Sequence, residues 1–351
     1  MADKQKKKWT GKRISLTVLC VVLALLLAVA IAAAVALSWM FGKLGKVDNT
    51  PMSQEQIQQD IIRNTDPVDP NFTGVELDPD QVWQTKPNTT TPAATQPLKS
   101  EKEVLNILLI GQDRRPGEGR ARSDSMILCS IDIKQKTVVL TSFQRDTYVR
   151  FPDGHADHKL NSAYQWGGMP LLDETLKLNF GVEIDGNIEV DFNRFTQLID
   201  LVGGVDIALT DAEAAWLIRG GNSVVPGMNH LTGEEALNYA RIRKLDNDFG
   251  RTNRQRKVIT SVLQSCKSAS VSTLMDLLNT ALPMIATDMS EKEIMDLAMD
   301  LIPILPELKI VASQSIPAKG TYESARVKGM YVLVADMQAN MDILNETIYG
   351  N

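Results

Sequence analysis

The sequence is poor in the residues that build metal sites and activated nucleophiles. It has three histidines and three cysteines among 351 residues, and aromatic residues make up 5%. His155, His158 and His230 are too few and too scattered for a histidine-built zinc site, and no CxxC pair occurs. The GxSxG, HExxH and GxxxxGK[ST] motifs are also missing. These absences argue against a zinc protease, a serine hydrolase and a P-loop NTPase.

The first 41 residues predict a membrane anchor. Residues 1–13 form a basic tail, and the uncharged apolar run 14–41 exceeds the roughly 20 residues that cross a bilayer. Basic residues on this flank place the N-terminus in the cytoplasm and the following chain outside. A cleaved signal peptide is the alternative, since residues 32–36 are small, but its apolar core would span only about 7–15 residues. We therefore expect an uncleaved, single-pass anchor.

The part of the chain beyond the anchor is acidic and has few thiols. The net charge is −6, and the tail, with six basic residues and Asp3, carries +5, which leaves −11 for the remainder. This charge argues against general nucleic-acid binding. An outer compartment permits a disulfide between Cys129 and Cys266, although two buried free thiols are the favoured expectation.

A change of composition separates a stalk from a domain. Residues 42–100 are rich in Gln, Asn, Asp, Thr and Pro, which predicts an extended, mobile stalk with at most a short helix at 54–63. Residues 101–351 form the predicted domain, and about 250 residues suffice for one core. Apolar runs at 104–110, 125–133 and 137–143 predict strands. Helices are expected at 170–181, 192–203, 232–241, 252–269, 272–285 and 290–301, and further strands at 205–209, 308–313 and 327–332. This interleaving predicts a layered α/β domain.

Polar residues gather at the ends of the first three predicted strands. Asp113 follows the first, Arg122 and Asp124 precede the second, and Arg145 follows the third. If the second strand is antiparallel to the other two, these residues meet at one edge of the sheet, where ligand sites occur. Asp113 and Asp124 are then candidate Mg²⁺ ligands, and the two arginines would face the same phosphates. For each residue alone, a loop ion pair or a helix cap is the favoured interpretation, and only their convergence with the arginine helix described next favours a site.

A second basic feature is the arginine window at residues 241–257. It contains Arg241, Arg243, Arg251, Arg254 and Arg256. From about Thr252 the spacing is helical and places arginines on the inward face of the first turn. Cations there oppose the helix dipole, so an external anion such as phosphate would complete the arrangement. A solvated basic helix face remains the alternative.

Motifs along residues 104–350 resemble those of the LytR-CpsA-Psr family. The matching segments, in order, are 106–115, 122–125, 145–149, 159–164, 203–206, 231–233, 240–243 and 248–255. Gln144 stands where the family usually has proline, and Ser125 replaces the usual threonine. Neither change removes a charged site position.

The resemblance implies a three-layer αβα domain around a central mixed β-sheet, on the outer face of a Gram-positive envelope. Such enzymes move a glycopolymer from a polyprenyl-pyrophosphate lipid to peptidoglycan, usually to the C6 hydroxyl of N-acetylmuramic acid, with Mg²⁺. The layers would enclose the lipid tail in an apolar cleft. Which polymer this chain carries is left open by the sequence. A lipid-pyrophosphate hydrolase and a non-catalytic lipid-binding or regulatory protein remain alternatives.

The resemblance also assigns roles residue by residue. Asp113 and Asp124 would bind the metal, and one of them would act as base beside Arg145. The residues implied for pyrophosphate binding are Arg122, Arg145, Arg241, Arg243 and Arg251. Lys159, Asp248 and Gln255 would support them.

Overall fold

The structure, a computed structural model, describes residues 45–63, 65–85, 104–112 and 119–350. The predicted tail and anchor, residues 1–41, lie outside these ranges, and so does Asp113. Within the described ranges, no helix has the length and apolar character that a membrane span requires.

The described chain alternates strands and helices. The strands are β1 Gly45–Lys46, β2 Val75–Leu77, β3 Val104–Gln112, β4 Ser123–Asp132, β5 Thr137–Phe143, β6 Tyr148–Val149, β7 His158–Lys159, β8 Gly186–Asp191, β9 Val205–Leu209, β10 Gly227–Leu231, β11 Ala286–Thr287, β12 Lys309–Ile316, β13 Tyr322–Val327 and β14 Met330–Ala335. The helices are α1 Gln54–Arg63, α2 Pro79–Thr85, α3 Asn161–Phe180, α4 Phe192–Leu201, α5 Asp211–Arg219, α6 Gly233–Ala240, α7 Asp248–Lys267, α8 Val271–Ala281, α9 Glu291–Leu301 and α10 Met337–Leu344.

A seven-stranded mixed sheet organises the domain, in the order β1-β11-β8-β3-β4-β5-β12. Strand β4 is antiparallel to both β3 and β5, whereas β8 is parallel to β3 and β12 is parallel to β5. The expected mixed sheet is thereby confirmed, and so is the antiparallel second strand. The expected meeting of these strand ends at one edge of the sheet is confirmed too, because the ends of β3 and β5 and the start of β4 lie at the same edge.

Helices pack on both faces of this sheet. On one face, Leu108, Ile110, Met126 and Leu128 join a core with α3 and α10. On the other face, the alternate side chains of β4 and β5 form a cluster with Leu308, against which residues of α7 and α9 pack. The central strands are therefore apolar on successive residues, which explains their near-continuous hydrophobic runs. Cys129 and Cys266 are free thiols. Cys129 is buried in the second cluster, but Cys266 is only half-buried, so the expected burial holds for Cys129 alone.

Several element boundaries differ from the predictions. Helix α3 begins at Asn161, and the predicted start at Pro170 marks only its second half, after a break at Gly168 with φ 70°. The predicted strand 327–332 was wrong. Lys328 and Gly329 adopt positive φ and form the turn of the β13–β14 hairpin, a geometry that this Lys-Gly pair permits. Helix α5 was missed, although Thr210 and Glu213 form a capping box at its start.

The described residues ahead of β3 fold against the domain, which differs from the expected extended stalk. Strand β1 pairs with β11 and β2 pairs with β13. Ile57 and Val82 are 1% and 0% exposed, each within an apolar cluster. A few well-placed apolar residues therefore anchor a segment whose overall composition is polar.

Candidate functional site

The shared sheet edge carries an open pocket of about 350 Å³. It is lined by Ala121, Arg122, Asp124, Arg145, Asp146, Lys159 and Asn161. The lining residues come from the start of β4, the turn after β5, strand β7 and the first residue of α3. Four of the residues predicted for the site, Arg122, Asp124, Arg145 and Lys159, thus lie together at the edge where three of them were expected.

Three arginines from distant parts of the chain converge on Asp124. Arg145 donates from Nη1 to Asp124 Oδ1 over 2.6 Å, and Arg243 Nη2 lies 3.4 Å from Oδ2. Arg251 Nη2 donates to the backbone oxygen of Asp124 over 3.1 Å. Asp124 is the extra residue of a β-bulge, between the pairs Gly111–Ser125 and Gln112–Ser123. Its contacts bring β4, the turn after β5 and helix α7 into a common site.

Arg251 is the most deeply buried of the described cations of the site. Its side chain is 2% exposed, and Nη2 donates to Asp248 Oδ2 over 2.8 Å on the first turn of α7. Nε and Nη1 are buried and find no hydrogen-bond partner within the described chain. Burial lowers the pKa of Arg251, against the opposing effect of Asp248. Unfilled donors on a buried guanidinium are costly, so an anion that accepts from them would stabilise the site.

Arg145 occupies the centre of the charged network. Its Nε lies 3.5 Å from Asp146 Oδ2 and 3.6 Å from Asp248 Oδ2. Burial alone lowers the pKa of this guanidinium, but Asp248, Asp146 and Asp124 together raise the pKa above its ordinary value. For Asp248, burial raises the pKa, although Arg251 and Arg145 oppose the effect. The network thus keeps Arg145 firmly protonated.

The remaining pocket cations contact carboxylates that the sequence did not single out. Lys159 Nζ lies 3.0 Å from Asp66 Oδ2 and 3.1 Å from Asp146 Oδ1. Arg122 Nη2 donates to Asp60 Oδ2 over 2.9 Å. Asp146 could have been predicted from the sequence, because it follows Arg145 directly. Asp60 and Asp66 could not, because they lie in the polar segment predicted as a stalk.

Two further predicted residues flank the pocket. Gln255 on α7 accepts a hydrogen bond from Ser125 Oγ over 3.0 Å, which ties the helix to β4. Arg241 is exposed, and its guanidinium carbon lies 4.5 Å from the centroid of the Phe192 ring. Phe192 follows β8 at the same edge, so Arg241 flanks the pocket on that side.

The other two arginines of the window serve the fold. Arg254 is 3% exposed and pairs with Glu213 at 2.8 Å and with Asp246 at 2.5 Å. Arg256 is 5% exposed and donates to the hydroxyls of Ser142, Ser313 and Ser315, and burial lowers its pKa to about 10. The inward orientation of the window is confirmed, but only part of it faces the pocket.

The oxygen donors in the pocket are compatible with Mg²⁺. Asp124 lines the pocket, and Oδ1 of the buried Asn161 has no hydrogen-bond partner within the described chain. No group of three or more His, Cys, Asp or Glu in the described ranges could hold a metal ion. Mg²⁺ needs no such group, because one or two carboxylates, substrate phosphates and water usually hold it. The second predicted carboxylate, Asp113, lies outside the described residues.

An apolar strip lies on the sheet beside the pocket. Leu109 pairs with Ile188 and Gly111 pairs with Val190, and all four are only half-buried at the centre of the sheet. Ser125, the β4 partner of Gly111, is half-buried too, and its hydroxyl reaches α7. Helix α8, which contacts α4, buries none of its residues fully. Half-covered apolar residues in the middle of a sheet indicate room for an apolar ligand.

Comparison with known proteins identifies relatives for most of this chain. The model of the LytR_cpsA_psr family matches residues 74–348. The polyisoprenyl-teichoic acid–peptidoglycan teichoic acid transferase TagU of Bacillus mycoides (strain KBAB4) is 32% identical over 250 residues, which cover 70% of this chain and 79% of the relative.

Solved structures share the fold. The structure of TagT bound to LIIa-WTA matches with a TM-score of 0.58 and 26% identity, over 74% of this chain and 95% of that chain. TagV of B. subtilis matches with a TM-score of 0.58 and 28% identity, over 71% of this chain and 98% of that chain. Both likenesses extend over nearly the whole of the solved chains.

Proposed function

The chain belongs to the LytR-CpsA-Psr family, and we propose that it transfers a glycopolymer from a polyprenyl-pyrophosphate lipid to peptidoglycan. The acceptor is the C6 hydroxyl of N-acetylmuramic acid, and the product is a phosphodiester. The observation that carries this proposal is the convergence of Arg145, Arg243 and Arg251 on Asp124 beside an open pocket. The activity for which TagU is named, with a polyisoprenyl-linked donor and a peptidoglycan acceptor, supports the same reaction.

The reaction is a displacement at phosphorus. The sugar hydroxyl attacks the phosphorus nearest the glycopolymer, a new oxygen–phosphorus bond forms, and the bond to the bridging oxygen breaks. The lipid monophosphate leaves with that oxygen, and the hydroxyl proton passes to Asp124 or Asp113. Negative charge develops on oxygens that preorganised cations can stabilise. This chemistry needs no nucleophilic side chain, in agreement with the motifs that the sequence lacks.

The cations have separate tasks in this scheme. Arg251 offers its two unfilled donors to a phosphate oxygen, since both are buried and unpaired within the described chain. Arg145 stays protonated among three carboxylates, and Arg122 and Lys159 line the same pocket. Asp124 and Asp113 would hold Mg²⁺ together with phosphate oxygens and water. When bound, Mg²⁺ supplies further positive charge to those oxygens.

In this proposal the lipid tail lies on the apolar strip. Leu109, Ile188 and Val190 are half-covered on the sheet face that also carries Ser125, the neighbour of the pocket residue Asp124. A polyprenyl chain lying there would bury apolar surface on both partners, at roughly 25 cal/mol per Å². The anchor at residues 14–41 would keep the domain at the outer face of the membrane that holds the lipid.

A transfer assay tests the proposal. The full-length chain in detergent is incubated with a polyprenyl-pyrophosphate-linked glycan and a peptidoglycan acceptor, with and without Mg²⁺. We expect a linked product with wild type and a loss of about 10²–10³-fold in Arg145→Ala, because a charge-stabilising donor is removed. Lys292→Ala is the matched control, since this exposed cation pairs only with Asp296 in the described chain.

The outcomes separate the alternatives. Free phosphoglycan without linked product would identify a hydrolase, and bound lipid without turnover would identify a binding protein. Full activity of Arg145→Ala would contradict the assignment of the site.

A further inference from the structure

Two carboxylates that precede the family domain reach its charged pocket. Asp60 on α1 accepts from Arg122 Nη2 over 2.9 Å, and Asp66 lies 3.0 Å from Lys159 Nζ. Both residues stand ahead of position 74, where the match to the family begins. The pocket cations are therefore partnered by a segment that is not part of the matched domain.

The segment that carries these acids, described at residues 45–63 and 65–66, packs against the domain. Arg120 donates to the backbone oxygens of Asp48 and Thr50, and the bond to Thr50 measures 2.9 Å. Met52 N donates to Trp166 O over 2.7 Å, and Ile57 is 1% exposed in the main core. These contacts fix the segment along the domain up to the pocket.

Each carboxylate is also held by a second donor. Asp60 Oδ2 accepts from Trp166 Nε1 over 2.9 Å in addition to Arg122. Asp66 Oδ2 accepts from Tyr331 N over 2.8 Å in addition to Lys159. An acid held on two sides restrains its cation, because neither partner can move without breaking a charge-assisted hydrogen bond.

The acids also set the charge of the site. The site cations that pair with carboxylates in the described chain are Arg122, Arg145, Lys159, Arg243 and Arg251, and the carboxylates in contact with them are Asp60, Asp66, Asp124, Asp146 and Asp248. Without Asp60 and Asp66, the same cations would exceed their carboxylates by two. The segment thus lowers the attraction for a phosphate while it restrains two of the cations.

We propose that Asp60 and Asp66 are positioning residues, which hold Arg122 and Lys159 in the geometry that phosphoryl transfer requires at the expense of ground-state affinity for the lipid. The inference rests on the proposed function for its kinetic part only. When either acid loses its charge, affinity for the lipid should therefore rise while kcat falls. An acid with a purely structural role would change the melting temperature and leave kcat and KM of the folded enzyme unaltered.

The experiment compares Asp60→Asn and Asp66→Asn with wild type in the full-length chain. Asparagine keeps the size of the side chain and an oxygen acceptor for Trp166 or Tyr331. We expect kcat to fall about tenfold, in the range seen when a supporting partner of a site residue is removed. KM and the Kd for octaprenyl pyrophosphate in micelles should fall by about threefold, because a nearby negative charge is lost. Asp69→Asn is the control, since the carboxylate of this exposed residue of the same region accepts from Asn71 N, whereas its contact with Tyr331 uses the backbone N–H.

The results separate this inference from the proposed function. KM and Kd that rise together with an unchanged kcat would overturn the positioning role, as would values equal to those of Asp69→Asn. If wild type transfers nothing, the proposed function fails. The Kd for octaprenyl pyrophosphate still decides then whether the two acids act on the cations, and an unchanged Kd would refute that action.

Discussion

The arginine window contains residues that stabilise the fold without facing the pocket, so a substitution at one of them should lower stability and leave activity nearly unchanged. Arg254→Met removes the guanidinium that pairs with Glu213 and Asp246 and also donates to Ile242 O over 3.1 Å. Breaking a buried ion pair from one side costs about 3–5 kcal/mol, because the other charge is left unpaired. Glu213 is 8% exposed, whereas Asp246 is 39% exposed, so solvent compensates part of the loss at Asp246.

The lower end of this range, about 3 kcal/mol, is therefore expected for Arg254→Met. In a domain of this size, such a loss lowers the melting temperature by about 5 °C. Transfer activity at a temperature where the variant is folded should stay within about threefold of wild type, because Arg254 pairs within the fold rather than with substrate. Adding Glu213→Gln should recover about 1–2 kcal/mol, since the orphaned buried charge is then removed.

Arg251→Met is the contrasting variant one helical turn earlier. In the native chain, Nε and Nη1 of Arg251 have no partner within the described residues. After the substitution, Asp248 still has Arg145 as a cationic neighbour, at 3.6 Å. We expect a smaller change in melting temperature and a loss of transfer of about 10²-fold. Thermal unfolding and the transfer assay on both variants provide the comparison. The reasoning fails if Arg254→Met melts like wild type but loses transfer.

Three further expectations follow from other parts of the molecule. Burial raises the pKa of Asp173, which accepts from Asn187, to about 7, so the folded state keeps a proton that the unfolded chain releases and stability falls as pH rises from about 4 to about 7. Asp173→Asn should therefore raise the free energy of unfolding at pH 8 by about 4 kcal/mol and leave it nearly unchanged at pH 4, as urea titrations would test. Ile188→Trp should fill the apolar strip and weaken octaprenyl pyrophosphate binding about tenfold without lowering the melting temperature, as titration and thermal unfolding would measure. The KM for the lipid substrate should rise less than about threefold between low and high salt, because the acids of the site balance its exposed positive charge.

The central sheet and the edge that carries the pocket could be predicted because the apolar runs of single strands and the topology of the sheet agree there. Apolar runs on successive residues require strands covered on both faces, and the short connection between β4 and β5 favours an antiparallel pair. Once β4 is antiparallel, the positions of Asp124 and Arg145 at one edge follow from topology alone. Their direct contact at 2.6 Å agrees with that expectation.

Which arginines face the pocket and which stabilise the fold could not be predicted in this way. Arg251 and Arg254 lie three residues apart, and both point inward. Their roles differ because Arg254 forms an ion pair with Glu213 of α5, a helix that was not predicted from the sequence. Periodicity gives the direction of a side chain, but the partner that it meets depends on packing between distant elements.

The segment ahead of the domain was misjudged for a related physical reason. Composition averages over many residues, whereas docking depends on a few. Ile57 and Val82 bury apolar surface, and Asp60 and Asp66 find cationic partners. A mean polarity typical of a linker can therefore coexist with specific attachment when apolar and charged contacts are spaced to match a surface.

The same balance of charges explains how the site can hold the buried Arg251 and Lys159 beside the half-buried Arg122 and Arg145. Each cation in contact with a carboxylate avoids much of the cost of an isolated buried charge. Arg251 retains two unfilled donors, so the site is nearly neutral in charge yet unsatisfied in hydrogen bonding. Under the proposed function, recognition of a pyrophosphate would depend less on net attraction than on acceptors that fit fixed donors. A site of this kind discriminates by geometry, which is the property that phosphoryl transfer between two large substrates requires.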